Sequence, residues 1–164
     1  MKFLFASDSF KGTLSSQKTA ELLTQSAREI FPDCQYDSIT VADGGEGTTD
    51  AVLAATNGKK ISVQVHGPLW ENITSNYGML DETRAVMEMA VASGLPLVPE
   101  EKRDPRYTTS YGTGEMIADA LRRGFRDISI AIGGSATNDG GIGCIRALGG
   151  KFLDENNQEL KGCG

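Results

Sequence analysis

One pattern occurs twice in the chain and limits what it can fold into. Asp43-Gly44-Gly45-Glu46-Gly47 and Asp139-Gly140-Gly141-Ile142-Gly143 share the order Asp-Gly-Gly-x-Gly. Each follows a short apolar stretch and precedes a stretch with helical spacing of apolar residues. A chain that passes twice from strand to helix in this way is of α/β type. In a parallel sheet both loops lie at the carboxyl ends of their strands, where ligands bind. A helix N-terminus offers unpaired N–H groups and a positive dipole end there, and glycines let an anion approach the backbone. An aspartate beside a phosphate would repel it, so its task is to hold Mg²⁺ or to accept a proton. The plainer alternative stays open at this point: the aspartates cap helices and the glycines allow close packing.

The rest of the chain fits the same class. Residues 3–6 form a continuous apolar run, expected as a strand covered on both faces. Ser15 or Ser16 caps a helix carrying Ala20, Leu22, Leu23, Ala27 and Ile30, and Pro32 ends it. Residues 36–42 read as a second strand and 48–56 as a helix closed by Asn57-Gly58. From residue 59 the texture changes. Ile61, Val63 and Val65 alternate with polar residues, Gly67-Pro68 turns the chain, and 73–80 and 83–90 read as further strands. Residues 93–111 hold Pro96, Pro99 and Pro105 and read as loop or short helix. A helix over 112–123 places Met116, Ile117, Ala120 and Leu121 on one face. Residues 127–132 read as a buried strand, 133–141 as loop, 142–148 as helix and 151–153 as the start of another strand. The expected fold is α/β, a parallel Rossmann-like or flavodoxin-like sheet flanked by helices, with a more antiparallel second α/β subdomain that is truncated. The division falls near residue 60, giving segments 1–60 and 61–164.

Charge and composition narrow the function. The formal net charge of -6 disfavours non-specific nucleic-acid and anionic-membrane surfaces, which need a basic excess. Cys34, Cys144 and Cys163 stand far apart, without metal-ligand spacing, and read as reduced thiols. With His66 as the only histidine, a His-based zinc site or a Ser-His-Asp triad is disfavoured. The N-terminal apolar run is too short for a signal peptide, and no segment has the apolar length of a membrane span. A soluble, cytoplasmic protein is expected. His66, Trp70 and Tyr77 read as structural. Lys102, Arg103 and Arg106 read as a solvated basic loop, with contact to an acidic substrate as the alternative. The Gly-x-x-x-x-Gly-Lys-[Ser/Thr] loop, the dinucleotide fingerprint and the protein-kinase signatures are absent. The residues therefore describe an α/β protein that binds an anion by an uncommon loop.

Five stretches go further. Ala6-Ser7-Asp8-Ser9-Phe10-Lys11-Gly12, Val41-Ala42-Asp43-Gly44-Gly45-Glu46-Gly47-Thr48, Ala92-Ser93-Gly94-Leu95-Pro96-Leu97-Val98, and residues 108–115 and 132–143 resemble, in order, the motifs of the bacterial glycerate kinases, the type that includes the glycerate 2-kinases. Ser7 stands where proline is commoner. The resemblance implies an ATP-dependent phosphotransferase with an alcohol acceptor, phosphorylating (R)-glycerate to 2-phosphoglycerate or 3-phosphoglycerate with Mg²⁺. It also implies two α/β domains around a cleft and chains much longer than this one. Glycerate and ATP are the expected partners, and a homodimer is allowed for.

Phosphoryl transfer asks mainly for positioning and charge neutralisation, and the expected roles follow from that. Gly133, Gly134, Ser135, Ala136, Thr137 and Asn138, with Gly44 and Gly45, would cradle the phosphates. Asp43, Glu46 or Asp139 would hold Mg²⁺. Lys11 would neutralise the transferred phosphoryl or the substrate carboxylate, and Asp8 or Asp43 would accept the proton. The rival readings are a non-catalytic phosphate-ligand-binding module and a Rossmann-type oxidoreductase.

Overall fold

The computed structural model of the protein describes residues 1–10 and 12–160. β1 (Lys2–Ser7) pairs in parallel with β2 (Gln35–Thr40), Phe3 opposite Tyr36 and Phe5 opposite Ser38. A parallel pair requires a crossover, which is α1 (Ser16–Ile30). Ser15 is its cap: the hydroxyl accepts the Lys18 N–H at 3.1 Å. Phe3, Phe31 and Tyr36 cluster beneath the helix, with ring centroids 5.3 and 5.6 Å from Phe3. The other face of this sheet differs from expectation. Exposure alternates along β1 and Leu4 is 58% exposed, because α1 covers one face and nothing among the described residues covers the other.

α2 (Thr48–Thr56) follows, closed by Asn57 in the left-handed conformation with its N–H donating to the Leu53 carbonyl. The second sheet has the order β3 (Lys59–His66), β4 (Asn72–Met79), β5 (Arg84–Glu88) and β6 (Asp127–Ala131). The first two pairings are antiparallel and the last is parallel. The crossover between β5 and β6 runs through α3 (Ala90–Ser93), two 3₁₀ turns and α4 (Tyr111–Arg122). The fold is thus mixed α/β, one sheet parallel and the other mostly antiparallel, as the sequence implied.

The core lies between the second sheet and α4, around Val65, Tyr77, Met87, Ala92, Met116, Ala120 and Phe125. Tyr77 is fully enclosed, and its hydroxyl donates to Asp119 at 2.9 Å. Ile117 packs against this cluster, but Leu121 is 39% exposed: a fourth apolar residue widens the stripe past what the sheet covers. β6 is not fully buried, since it is an edge strand and Ile130 is partly open. α5 (Ile142–Ala147) packs on α4. Residues 151–153 form no strand. Leu153 makes one bridge to Glu159, and Asp154 Oδ1 accepts the amides of Asn156 and Gln158, which turns the chain back at once.

Candidate functional site

The two glycine loops meet. β5 and β6 run parallel with Glu88 opposite Ala131, so the chain leaving β6 emerges beside the end of β5. There the Gly133 N–H donates to the Gly44 carbonyl at 2.9 Å. A Cβ on Gly133 would lie 2.8 Å from that oxygen and 2.9 Å from the Gly45 N and Cα. All three are backbone atoms, so no side-chain motion makes room, and this close approach is what requires glycine.

The segment after Gly133 is pinned from two sides. Leu95 N–H donates to the Gly134 carbonyl and Ala136 N–H to the Ser93 carbonyl, both at 2.9 Å. The Thr108 hydroxyl donates to the Ala136 carbonyl at 2.8 Å, and the Thr137 hydroxyl returns a bond to the Thr108 carbonyl at 3.2 Å. Ser135 Oγ accepts the Thr137 N–H and donates to the Thr137 carbonyl. The Ser135 and Thr137 hydroxyls therefore shape the loop itself, while Gly134, Ser135 and Asn138 stay exposed. Stretches 92–98 and 108–115 thus serve as clamps on the loop.

Asp139 is 4% exposed. Its Oδ2 accepts the Ser110 N–H at 2.9 Å, the Ser110 hydroxyl at 2.7 Å and the Gly143 N–H at 3.1 Å, and Oδ1 accepts the Gly141 N–H at 2.9 Å. Burial pushes its pKa up, but the Ser110 and glycine hydrogen bonds outweigh burial and hold the carboxyl below its ordinary value. With both oxygens engaged, this carboxylate ties the loop to the start of α4.

A cleft of about 610 Å³ opens between the N-terminal loop and α2. Ser9, Phe10 and Gly12 line one side, and Glu46, Gly47 and Glu88 the other. Asp8 sits at the root of that loop and accepts the Ser9 N–H at 2.7 Å. Asp43 Oδ1 accepts the Gly45 N–H at 2.9 Å, and Asp43 and Glu46 are exposed. Lys11 lies outside the described residues. Among the described residues no three His, Cys, Asp or Glu side chains converge into a metal cage.

Glu88 is a site residue that sequence reasoning missed. It is 3% exposed at the end of β5, and its Oε1 accepts the Thr49 N–H at 3.4 Å at the start of α2. Its Oε2 and the neighbouring Thr49 hydroxyl have no hydrogen-bond partner among the described residues. Burial raises the Glu88 pKa, against the amides of Thr49, Gly47 and Thr48, which lower it. The sequence signal was a lone acid in the apolar run Ala85-Val86-Met87-Glu88-Met89. A folded-state pKa above the ordinary 4.5 contributes stability in acid and loses it as pH rises through the raised value. Glu88→Gln is therefore expected to flatten the decline in urea-unfolding stability as pH rises above the ordinary carboxyl value. Equal declines in both proteins would dismiss this role.

Other residues noted in the sequence make the following contacts in the fold. His66 Nδ1 lies 3.0 Å from Glu115, and its ring meets Trp70 and Tyr111 edge-on. Arg106 is paired with Asp104, and Arg103 donates to the Val98 carbonyl. Cys34 and Cys144 are free thiols. No helix among the described residues is long and apolar enough to cross a membrane.

The family described as "Glycerate kinase family" matches residues 3–164. The chain belongs to the glycerate kinase family. It is 53% identical to the glycerate 2-kinase of Escherichia coli (strain K12), over 98% of this chain and 42% of that protein. It is 50% identical to the glycerate kinase of Bacillus subtilis (strain 168), with the same coverage. A crystal structure ascribed to glycerate kinase 2 of Salmonella typhimurium LT2 superposes with a TM-score of 0.79 at 46% identity, over 99% of this chain and 44% of that one. The chain thus spans about two fifths of the length of these relatives. The kinase resemblance of the five stretches is borne out.

Proposed function

We propose that this chain supplies the phosphate-handling part of an enzyme that phosphorylates glycerate from ATP. The observation that carries the reading is the joining of the two glycine loops through Gly133 N–H and Gly44 O. It brings the backbone of 133–138 and the start of α2 to one place at the strand ends. Family membership supports glycerate as the substrate.

In this reading the exposed residues Gly134, Ser135 and Asn138, beside the more enclosed Gly44 and Gly45, orient the phosphates. Asp43 and Glu46 are the exposed carboxylates that would hold Mg²⁺, whose chemistry is to neutralise phosphate charge. Asp139, fully engaged, keeps the loop in place. Asp43 or Asp8 accepts the proton of the attacking hydroxyl, and Lys11 neutralises charge on phosphoryl or substrate. The product is 2-phosphoglycerate or 3-phosphoglycerate.

The test replaces the matched region of the Escherichia coli glycerate 2-kinase with this chain and follows ATP and glycerate by phosphorus NMR, which also distinguishes the two products. Turnover is expected, and Asp43→Asn should lower kcat by about 100-fold or more if Asp43 is the base. No turnover of glycerate by the unsubstituted chimera overturns the reading. An unchanged kcat in the variant removes Asp43 from the chemistry.

A further inference from the structure

The contact that Glu88 makes within the fold accounts for only half of its carboxyl group. Gly47, the residue before α2, has no side chain with which to cap that helix. Glu88 supplies an acceptor from the end of β5, taking the Thr49 N–H on Oε1 at 3.4 Å. Capping uses one oxygen. The other, Oε2, is buried without a partner among the described residues, and so is the Thr49 hydroxyl. A buried acceptor left unpaired costs its desolvation, which an apolar residue at this place in the strand would avoid. Such a break with the local pattern is expected where a ligand supplies the missing bond.

The surroundings of Glu88 narrow the chemistry of that ligand. Glu88 lines the cleft of about 610 Å³ between the N-terminal loop and α2, and Glu46 and Asp50 line it too. These acids repel a phosphate or carboxylate brought up against Oε2. The positive end of α2 points at the same carboxyl group and disfavours a cation there. A neutral hydroxyl donor meets neither obstacle, and it is a good partner for a carboxyl oxygen. Ser9, Thr13 and Asn76 add uncharged polar groups to the walls of the cleft.

We propose that Glu88 sets acceptor specificity: its Oε2 accepts a hydrogen bond from one hydroxyl of the acceptor acid, which enters the cleft hydroxyl-first with its carboxylate turned outward. The proposal rests on the reading of this chain as part of a glycerate kinase and adds a residue that the reading did not use. One side chain then does two things. Through Oε1 it holds the start of α2, and through Oε2 it holds the acceptor next to the 43–47 loop that leads into that helix.

The test titrates small acids into the chimera without nucleotide and follows the heat of binding. The probes are (R)-glycerate, (R)-lactate, which lacks the 3-hydroxyl, and 3-hydroxypropanoate, which lacks the 2-hydroxyl. In the unsubstituted chimera, loss of the hydroxyl that Glu88 holds should weaken binding by about 10-fold or more. In Glu88→Met, close in size but without an acceptor, that penalty should fall to about 2-fold or less. Glu88→Gln, which keeps the shape and an acceptor for Thr49, should reduce it by about 3-fold or more. A residue that only caps α2 would weaken the binding of all the probes alike and leave their ratios unchanged. Unchanged ratios in both variants therefore overturn the proposal, as does an unsubstituted chimera that binds glycerate no more tightly than either analogue. Should Glu88→Met fail to fold, the ratios in Glu88→Gln decide. Turnover enters none of these titrations, so the proposal can fail while the kinase reading stands. A chimera with Glu88-dependent ratios that never phosphorylates glycerate fails the kinase reading alone.

Discussion

Asp139→Asn is expected to lower stability by about 3 kcal/mol and to free the loop it holds. The wild-type carboxylate accepts four hydrogen bonds in a site that is 4% exposed. An asparagine has the same shape but turns one acceptor into an NH₂ donor. That donor would face the N–H of Gly141, or the three donors of Ser110 and Gly143, with no acceptor to take its place. Bonds to a charged acceptor contribute more than neutral ones, and buried groups left unpaired cost their full desolvation. The pH dependence carries a definite sign. The folded carboxyl has a pKa below its ordinary 3.8, so its contribution is present above that value and is lost as pH falls through the depressed one. Urea unfolding near neutral pH should therefore show the full difference between the two proteins, and the gap should shrink in strong acid. A loss below about 1 kcal/mol at neutral pH would mean that Asp139 does not hold the loop.

Gly112→Ala is expected to destabilise by about 2–4 kcal/mol, although alanine is the better helix former by about 1 kcal/mol. Gly112 lies in the first turn of α4, where that helix crosses the end of β3. An added Cβ would stand 1.8 Å from the His66 carbonyl oxygen. That oxygen is backbone in a paired strand, so either β3 or the helix must withdraw. Withdrawal would strain the His66 N–H bond to Glu115 and the packing of Ala92, whose Cβ lies 3.4 Å from the same point. Thermal melting checks this directly. A variant as stable as the parent would show that helix and strand do not come this close.

What was legible in the sequence was mostly local. Ser15 caps α1 through a partner three residues away, and Asn57 ends α2 within one turn. Period-two alternation at Ile61, Val63 and Val65 placed β3 because the covering layer lies on one side. The site was legible as residue types but not as an assembly. Gly133 meets Gly44, and Asp139 meets Ser110, across long stretches of chain. Nothing in a glycine or an aspartate says which distant backbone it will touch. Glu88 was missed for the same reason. It is buried because α2 arrives from 39 residues earlier, and its own neighbours read only as a strand. Residues 3–6 looked like a strand enclosed on both faces, and their composition fits that. The structure shows that a pattern records the environment a strand is suited to, which α1 alone does not supply.

Trp70 has a practical consequence. It is the sole tryptophan of the chain, held with φ at 67° in the turn after β3 and 45% exposed. Its ring lies 5.1 Å from Tyr111, the first residue of α4, and 5.8 Å from His66, the last residue of β3. Tryptophan fluorescence of this chain is therefore a single-position gauge. Its emission follows the seam between one hairpin and one helix, and an unfolding trace read by that light reports the parting of that seam before it reports anything else.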